Sequence, residues 1–143
     1  MDRINVMPFI YENHFEFNIK NCSLETVHSQ VERMLSPLPQ SVYADLLIAL
    51  HELIINSFKE MEVQNTPTDS IGIHIYQHQD VVIIQVSDSG RGIDDYHPPK
   101  SSSQLNEAGR GLLMVMLLTD WFLTYPDFSN RYSYYIIKKL YVN

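Results

Sequence analysis

Asp88 closes the apolar run "DVVIIQVSD", and glycines follow it at positions 90 and 92. A buried strand that finishes on a carboxylate places a hydrogen-bond acceptor at the edge of the core. A turn-forming aspartate ahead of glycine is the ordinary reason for such a residue. The glycines supply another reason: they let the backbone approach a ligand closely and leave its amides free to point at it. A second glycine pair, Gly109 and Gly111, brackets Arg110 just before the apolar run that begins at Leu112. A glycine-rich loop entering a helix offers an anion free amides and the positive end of the helix dipole. The third group lies in "HELIINSFKE", where Glu52, Asn56 and Glu60 recur every four residues and so share one helix stripe. Ile48 and Ile55 flank that stripe, which suggests a groove wall rather than an open polar face. Glu52 has the chemistry of a general base, and the Asn56 side-chain oxygen suits a hard cation such as Mg2+.

These residues need elements to hold them. "HFEFNIK" alternates polar and apolar side chains and predicts a strand. Ser23 is placed to cap a helix whose apolar positions are Leu24, Val27, Val31, Met34 and Leu35. The prolines of "SPLPQ" end it, and a long helix is expected from about Ser41 to Met61, with Leu46, Leu47, Leu50, Leu53, Ile54, Phe58 and Met61 facing the core. "SIGIHIYQ" and "VVIIQVSD" form a hairpin. The segment from Ser89 to Gly111 holds four of the five glycines and has no periodicity, so it reads as a long functional loop. "LLMVMLLTDWF" predicts a helix, and "FLTYPD" with "RYSYYIIKKLYV" a closing strand pair. The order implies an α+β two-layer sandwich, with helices on one face of a mixed, mostly antiparallel sheet.

The 143 residues are 45% hydrophobic, enough for one compact domain spanning 1–143 with a sizeable core. The net charge of −7 argues against nucleic acid or an anionic membrane as a direct partner. The single cysteine, Cys22, excludes an internal disulfide and fits a reducing compartment. The N-terminus is a poor secretory signal, and the run "LLMVMLL" is far shorter than the roughly 20 residues a bilayer span needs. A cytoplasmic protein is expected. "HEL" at His51 opens like a zincin, but position 55 is Ile55 and the second histidine of H-E-x-x-H is missing. His74 and His78 lack partners for a metal set, and the tyrosine-rich end reads as sheet surface or a dimer contact.

Taken together and in this order, the three groups resemble the Bergerat-fold ATPases: gyrase, Hsp90, histidine kinase and MutL. Glu52 and Asn56 look like the N box, Asp88, Gly90 and Gly92 with the adjacent Ile93 like the first glycine box, and Gly109, Arg110, Gly111 and Leu112 like the second. The resemblance covers roughly residues 14–140. Among these proteins a stand-alone domain of this length is similar to the anti-sigma-factor serine kinases. That resemblance implies ATP and Mg2+ as cofactors. Glu52 would activate a serine hydroxyl, Asn56 would hold Mg2+, Asp88 would receive the adenine amino group, and the glycine boxes would wrap the phosphates. It implies an anti-sigma-antagonist-like protein as partner, with a sigma factor as a further one. Two positions depart from the family. Glu60 stands where a histidine is common, while Lys59 resembles the phosphate-site lysine of sensor histidine kinases. "NRYSYY" replaces a Gly-Thr-Thr element, leaving Ser133 to supply a hydroxyl near adenine. Two other readings stay open: a nucleotide-gated binding module without phosphotransfer, and a detached histidine-kinase catalytic domain.

Overall fold

The computed structural model describes residues 11–64, 70–88, 112–126 and 132–140. The elements run β1 (Tyr11–Asn18), α1 (Leu24–Leu35), α2 (Gln40–Gln64), β2 (Ser70–His78), β3 (Val81–Asp88), β4 (Trp121–Pro126) and β5 (Tyr132–Lys139). Residues 112–118 add a short helical run, α3, ahead of β4. The strands form one sheet in the order β1-β2-β3-β5-β4. Every neighbouring pair among them is antiparallel, in keeping with the mostly antiparallel sheet expected from the sequence.

Strand alternation gives the sheet a helix-facing side. Phe17, Ile73, Ile84, Val86 and Ile136 point there and are buried, as a period of two requires. The helices cover this side with Val27, Val31 and Met34 from α1 and Leu46, Leu50, Leu53 and Ile54 from α2. Ser23 caps α1 as expected: it is extended, at φ −77° and ψ 156°, and its Oγ accepts the Thr26 N–H at 3.1 Å. Tyr11 Oη donates to Met34 O at 2.7 Å and ties β1 to the end of that helix. Residues Gln40–Lys59 of α2 are long and apolar enough to cross a membrane by length and composition. That apolarity is used inside the fold, since Leu46, Leu50, Leu53 and Ile54 are fully buried.

The helix expected to run through "TDWF" stops at Leu118, and β4 begins at Trp121. The cause is Asp120. Its N–H donates to Ile137 O at 2.9 Å and its Oδ2 accepts the Lys139 N–H at 2.6 Å, which binds the chain to β5. Lys138 Nζ donates to Leu118 O at 2.9 Å and lies 3.2 Å from Asp45 Oδ2, so one ammonium joins β5, α2 and the end of α3. A cation at helix-terminal carbonyls also complements the dipole. β1 starts at Tyr11, three residues earlier than the alternation of "HFEFNIK" suggests.

Candidate functional site

Asp88 is the last residue of β3 and continues the inward series Val82, Ile84, Val86. It is fully buried. A buried carboxylate is costly unless it is hydrogen-bonded, and α2 supplies a partner. Leu46, Leu50, Leu53 and Ser57 follow one another in steps of four, three and four, so Ser57 lies on the core stripe of that helix. Ser57 is also fully buried, and its Oγ donates to Asp88 Oδ2 at 2.5 Å. The contact fixes α2 along its axis against the end of β3.

The rest of the α2 site follows from that anchor. Asn56 precedes Ser57, and Glu52 lies one turn earlier. Both are half-buried. Ile55 is half-buried beside them and Ile48 is 44% exposed. Lys59 is exposed one turn beyond Asn56. A polar line thus borders the core stripe on one side and accessible apolar residues on the other, at the helix end that holds Asp88. Leu112 is half-buried at the start of α3, and Val115 in the same helix enters the core. Gly90, Gly92, Ile93, Gly109, Arg110 and Gly111 lie outside the described residues, as does the side chain of Glu60.

Ser133 is not brought to Asp88. In the β3–β5 register Asp88 faces Tyr132 and Ser87 faces Ser133. Adjacent residues of a strand point to opposite sides, so Ser133 lies on the sheet side away from the helices. There its Oγ accepts from Gln85 Nε2 at 3.2 Å. Of the described β5 side chains, Tyr134, Ile136 and Lys138 share the Asp88 side, and Tyr134 is fully buried and stacked with Phe122 at 6.3 Å between centroids. Ser57 is the site neighbour that sequence reasoning misses. A serine continuing a leucine stripe toward a strand-end aspartate is the signal that could have found Ser57.

His51 stacks on His28 of α1, with centroids 3.8 Å apart and planes at 26°. Both Nε2 atoms are buried without a hydrogen-bond partner. A phosphoacceptor needs that nitrogen open to solvent, so His51 belongs to the helix–helix contact. Burial lowers the His51 pKa from its usual 6.5, nearby His28 lowers it further, and Glu32 opposes both. His74 Nε2 pairs with Glu12 Oε1 at 2.9 Å on the outer side of the sheet. No group of three or more His, Cys, Asp or Glu residues among the described residues could hold a metal ion.

An antiparallel sheet with helices on one side, a strand-end carboxylate buried against the central helix, and a Glu/Asn line on that helix define a kinase-like ATPase domain. The chain belongs to the histidine kinase-like ATPase domain family, which it matches over residues 17–129. It is 29% identical over 101 residues to the "Probable C4-dicarboxylate sensor kinase" of Bacillus subtilis (strain 168), covering 66% of this chain and 19% of that protein. The chain therefore spans about a fifth of that relative's length. Its fold is similar to a chain in the crystal structure of the SiaB–SiaC complex from Pseudomonas aeruginosa, at a TM-score of 0.56 and 13% identity, covering 90% of this chain and 89% of that one.

Proposed function

We propose that this domain, spanning residues 1–143, is a cytoplasmic Mg-ATP-dependent protein serine kinase of the anti-sigma type. It acts on a small antagonist protein and holds a sigma factor in one nucleotide state, with no direct contact to nucleic acid. The reading rests first on the Ser57–Asp88 bond, which fixes a buried acceptor at the end of the Glu52–Asn56 line. Asp88 accepts the adenine amino N–H in a charge-assisted bond. Glu52 takes the proton of the acceptor hydroxyl as its oxygen attacks the γ-phosphorus and the bond to the β,γ-bridging oxygen breaks, releasing ADP. Asn56 would hold Mg2+ through its side-chain oxygen. Mg2+, when bound, neutralises charge on the transferring phosphoryl group. A fold shared with a chain of a two-protein complex is consistent with a protein substrate.

A second reading, a catalytic domain that phosphorylates a histidine, is favoured by the sensor-kinase relative and by exposed Lys59. Incubation with labelled ATP and candidate partner proteins separates the two. An acid-stable label on a serine or threonine supports the serine kinase. An acid-labile label replaces it with the histidine kinase. ATP binding with no labelled partner leaves a nucleotide-gated binding module.

A further inference from the structure

Lys138 is a cation in a core series. Alternation along β5 places it on the helix-facing side after Tyr134 and Ile136, both fully buried. Its side chain is only 19% exposed, and a lysine is rarely so covered without partners. An ammonium has three N–H donors and no acceptor. Here Nζ donates to Leu118 O at 2.9 Å and lies 3.2 Å from Asp45 Oδ2. Leu118 O is one of the carbonyls that the end of α3 leaves without helical partners. Val115 O, another of them, accepts the Thr119 hydroxyl at 2.7 Å. Helix α3 depends on such anchors. Within it only Val115 is fully buried, while Leu113, Met114, Met116 and Leu117 are exposed.

We propose that Lys138 is a positioning residue for the nucleotide site. It pins α2 to α3 at the end of the fold away from Asp88, and so sets the Glu52–Asn56 line against the start of α3 at Leu112. The inference rests on the nucleotide site proposed above. Lengths along the elements place the pin. Lys138 pairs with Val82, and from Val82 to Asp88 β3 rises about 20 Å. From Asp45 to Ser57 α2 rises about 18 Å. The two spans agree, so α2 lies along β3 with Asp45–Lys138 at one end and Ser57–Asp88 at the other. Asp45, Glu52 and Asn56 follow in steps of seven and four, so Lys138 grips the stripe that carries the polar line. From the pin, Glu52 is about 10 Å along α2 and Leu112 about 9 Å back along α3. One ammonium thus ties together the helices that carry Glu52 and Leu112. Ser57 holds the adenine end without Lys138. Loss of Lys138 should therefore loosen the phosphate end of the site and leave the adenine end in place.

ATP and adenosine separate the two ends. Calorimetry reads ATP binding, and chemical-shift titration reads adenosine even at millimolar affinity. Lys138→Met keeps the apolar stem and removes the ammonium. ATP affinity should fall on the order of tenfold, the worth of one misplaced charge-assisted contact, while adenosine affinity is unchanged. Lys138→Arg keeps a cation with several donors and should restore most of the ATP binding. Asp45→Ala, at a half-buried position, cuts only the α2 arm. It should weaken ATP binding in the same direction and add little once Lys138→Met is present, since both break one link. If Lys138→Met melts below the assay temperature, the contrast between ATP and adenosine in Asp45→Ala decides. Unchanged ATP affinity overturns the inference and leaves the nucleotide reading standing. So does an equal loss of both ligands, the mark of a merely structural lysine, or full additivity of the two variants. A wild-type chain that binds ATP but no adenosine, or neither, removes the nucleotide reading and the inference with it.

Discussion

Helix α2 makes a buried polar contact on each of two flanks, and the two are solved differently. Toward the sheet, Ser57 meets Asp88 in a 2.5 Å hydrogen bond. Toward α1, His51 stacks on His28 with neither buried Nε2 hydrogen-bonded. A satisfied buried bond specifies geometry, because slippage of the helix breaks it. A stacked pair with unmet nitrogens gains contact area and keeps a desolvation cost, so it fills space without fixing a register. The sheet flank is therefore where the helix is indexed, and the Glu52–Asn56 line takes its position from that flank. Changes on the sheet flank should alter ligand handling, and changes on the α1 flank should alter stability alone.

Glu52→Gln should show the largest effect, because it keeps the shape of the polar line and removes the carboxylate proposed as its base. Phosphoryl transfer should fall roughly 10²–10⁴-fold while calorimetric affinity for ATP stays close to wild type. Equal turnover would detach Glu52 from the chemistry and leave the sheet flank a binding surface only. Asp88→Asn comes next. Ser57 Oγ donates to the oxygen that remains, so the new NH2 group faces the ligand's own N–H. A hydrogen bond to a charged group is worth about 1.5–3 kcal/mol, and ATP affinity should drop on the order of tenfold to a hundredfold. Unchanged affinity in a folded variant would take Asp88 out of the site.

Ser57→Ala gives a smaller effect and reads the index bond directly. It leaves the buried carboxylate short of a donor, and urea unfolding should show a loss of about 1–3 kcal/mol. ATP affinity should weaken with it, because α2 is then free to shift. A stability loss with no change in binding would mean that the bond holds the core and not the site.

These contrasts also show what the sequence can and cannot reveal. The helices and the β2–β3 hairpin are legible because periods of 3.6 and 2 are written in Leu46, Leu50 and Leu53 and in Ile71, Ile73 and Ile75. The carboxylate at Asp88 is legible from the glycines that follow it. Ser133 is misplaced because a hydroxyl's side of the sheet depends on cross-strand register, and a one-residue offset reverses it. The end of α3 is missed because Asp120 is claimed by β5, a partner distant in sequence. The His28–His51 stack leaves no local signal, since each histidine alone is an unremarkable helix residue.

The α1 flank should respond to pH, and the sign follows from burial. The His51 pKa lies below 6.5 in the folded chain and returns to its ordinary value on unfolding. Between those two values the unfolded chain binds more protons, so stability rises with pH across that window and levels off above about 6.5. Acidification through the window removes the contribution, because charging His51 places an imidazolium in a poorly solvated contact against His28, with Glu32 offsetting only part of the cost. His51→Phe keeps an aromatic ring on His28 and removes the titration. Thermal melts of wild type and variant between pH 8 and 5 should diverge on the acidic side, the wild type losing more of its melting temperature. ATP affinity at pH 8 should be the same in both. Parallel melting curves would show that protonation of His51 is not coupled to folding. An affinity loss at pH 8 would show that the α1 flank, like the sheet flank, sets the register of α2.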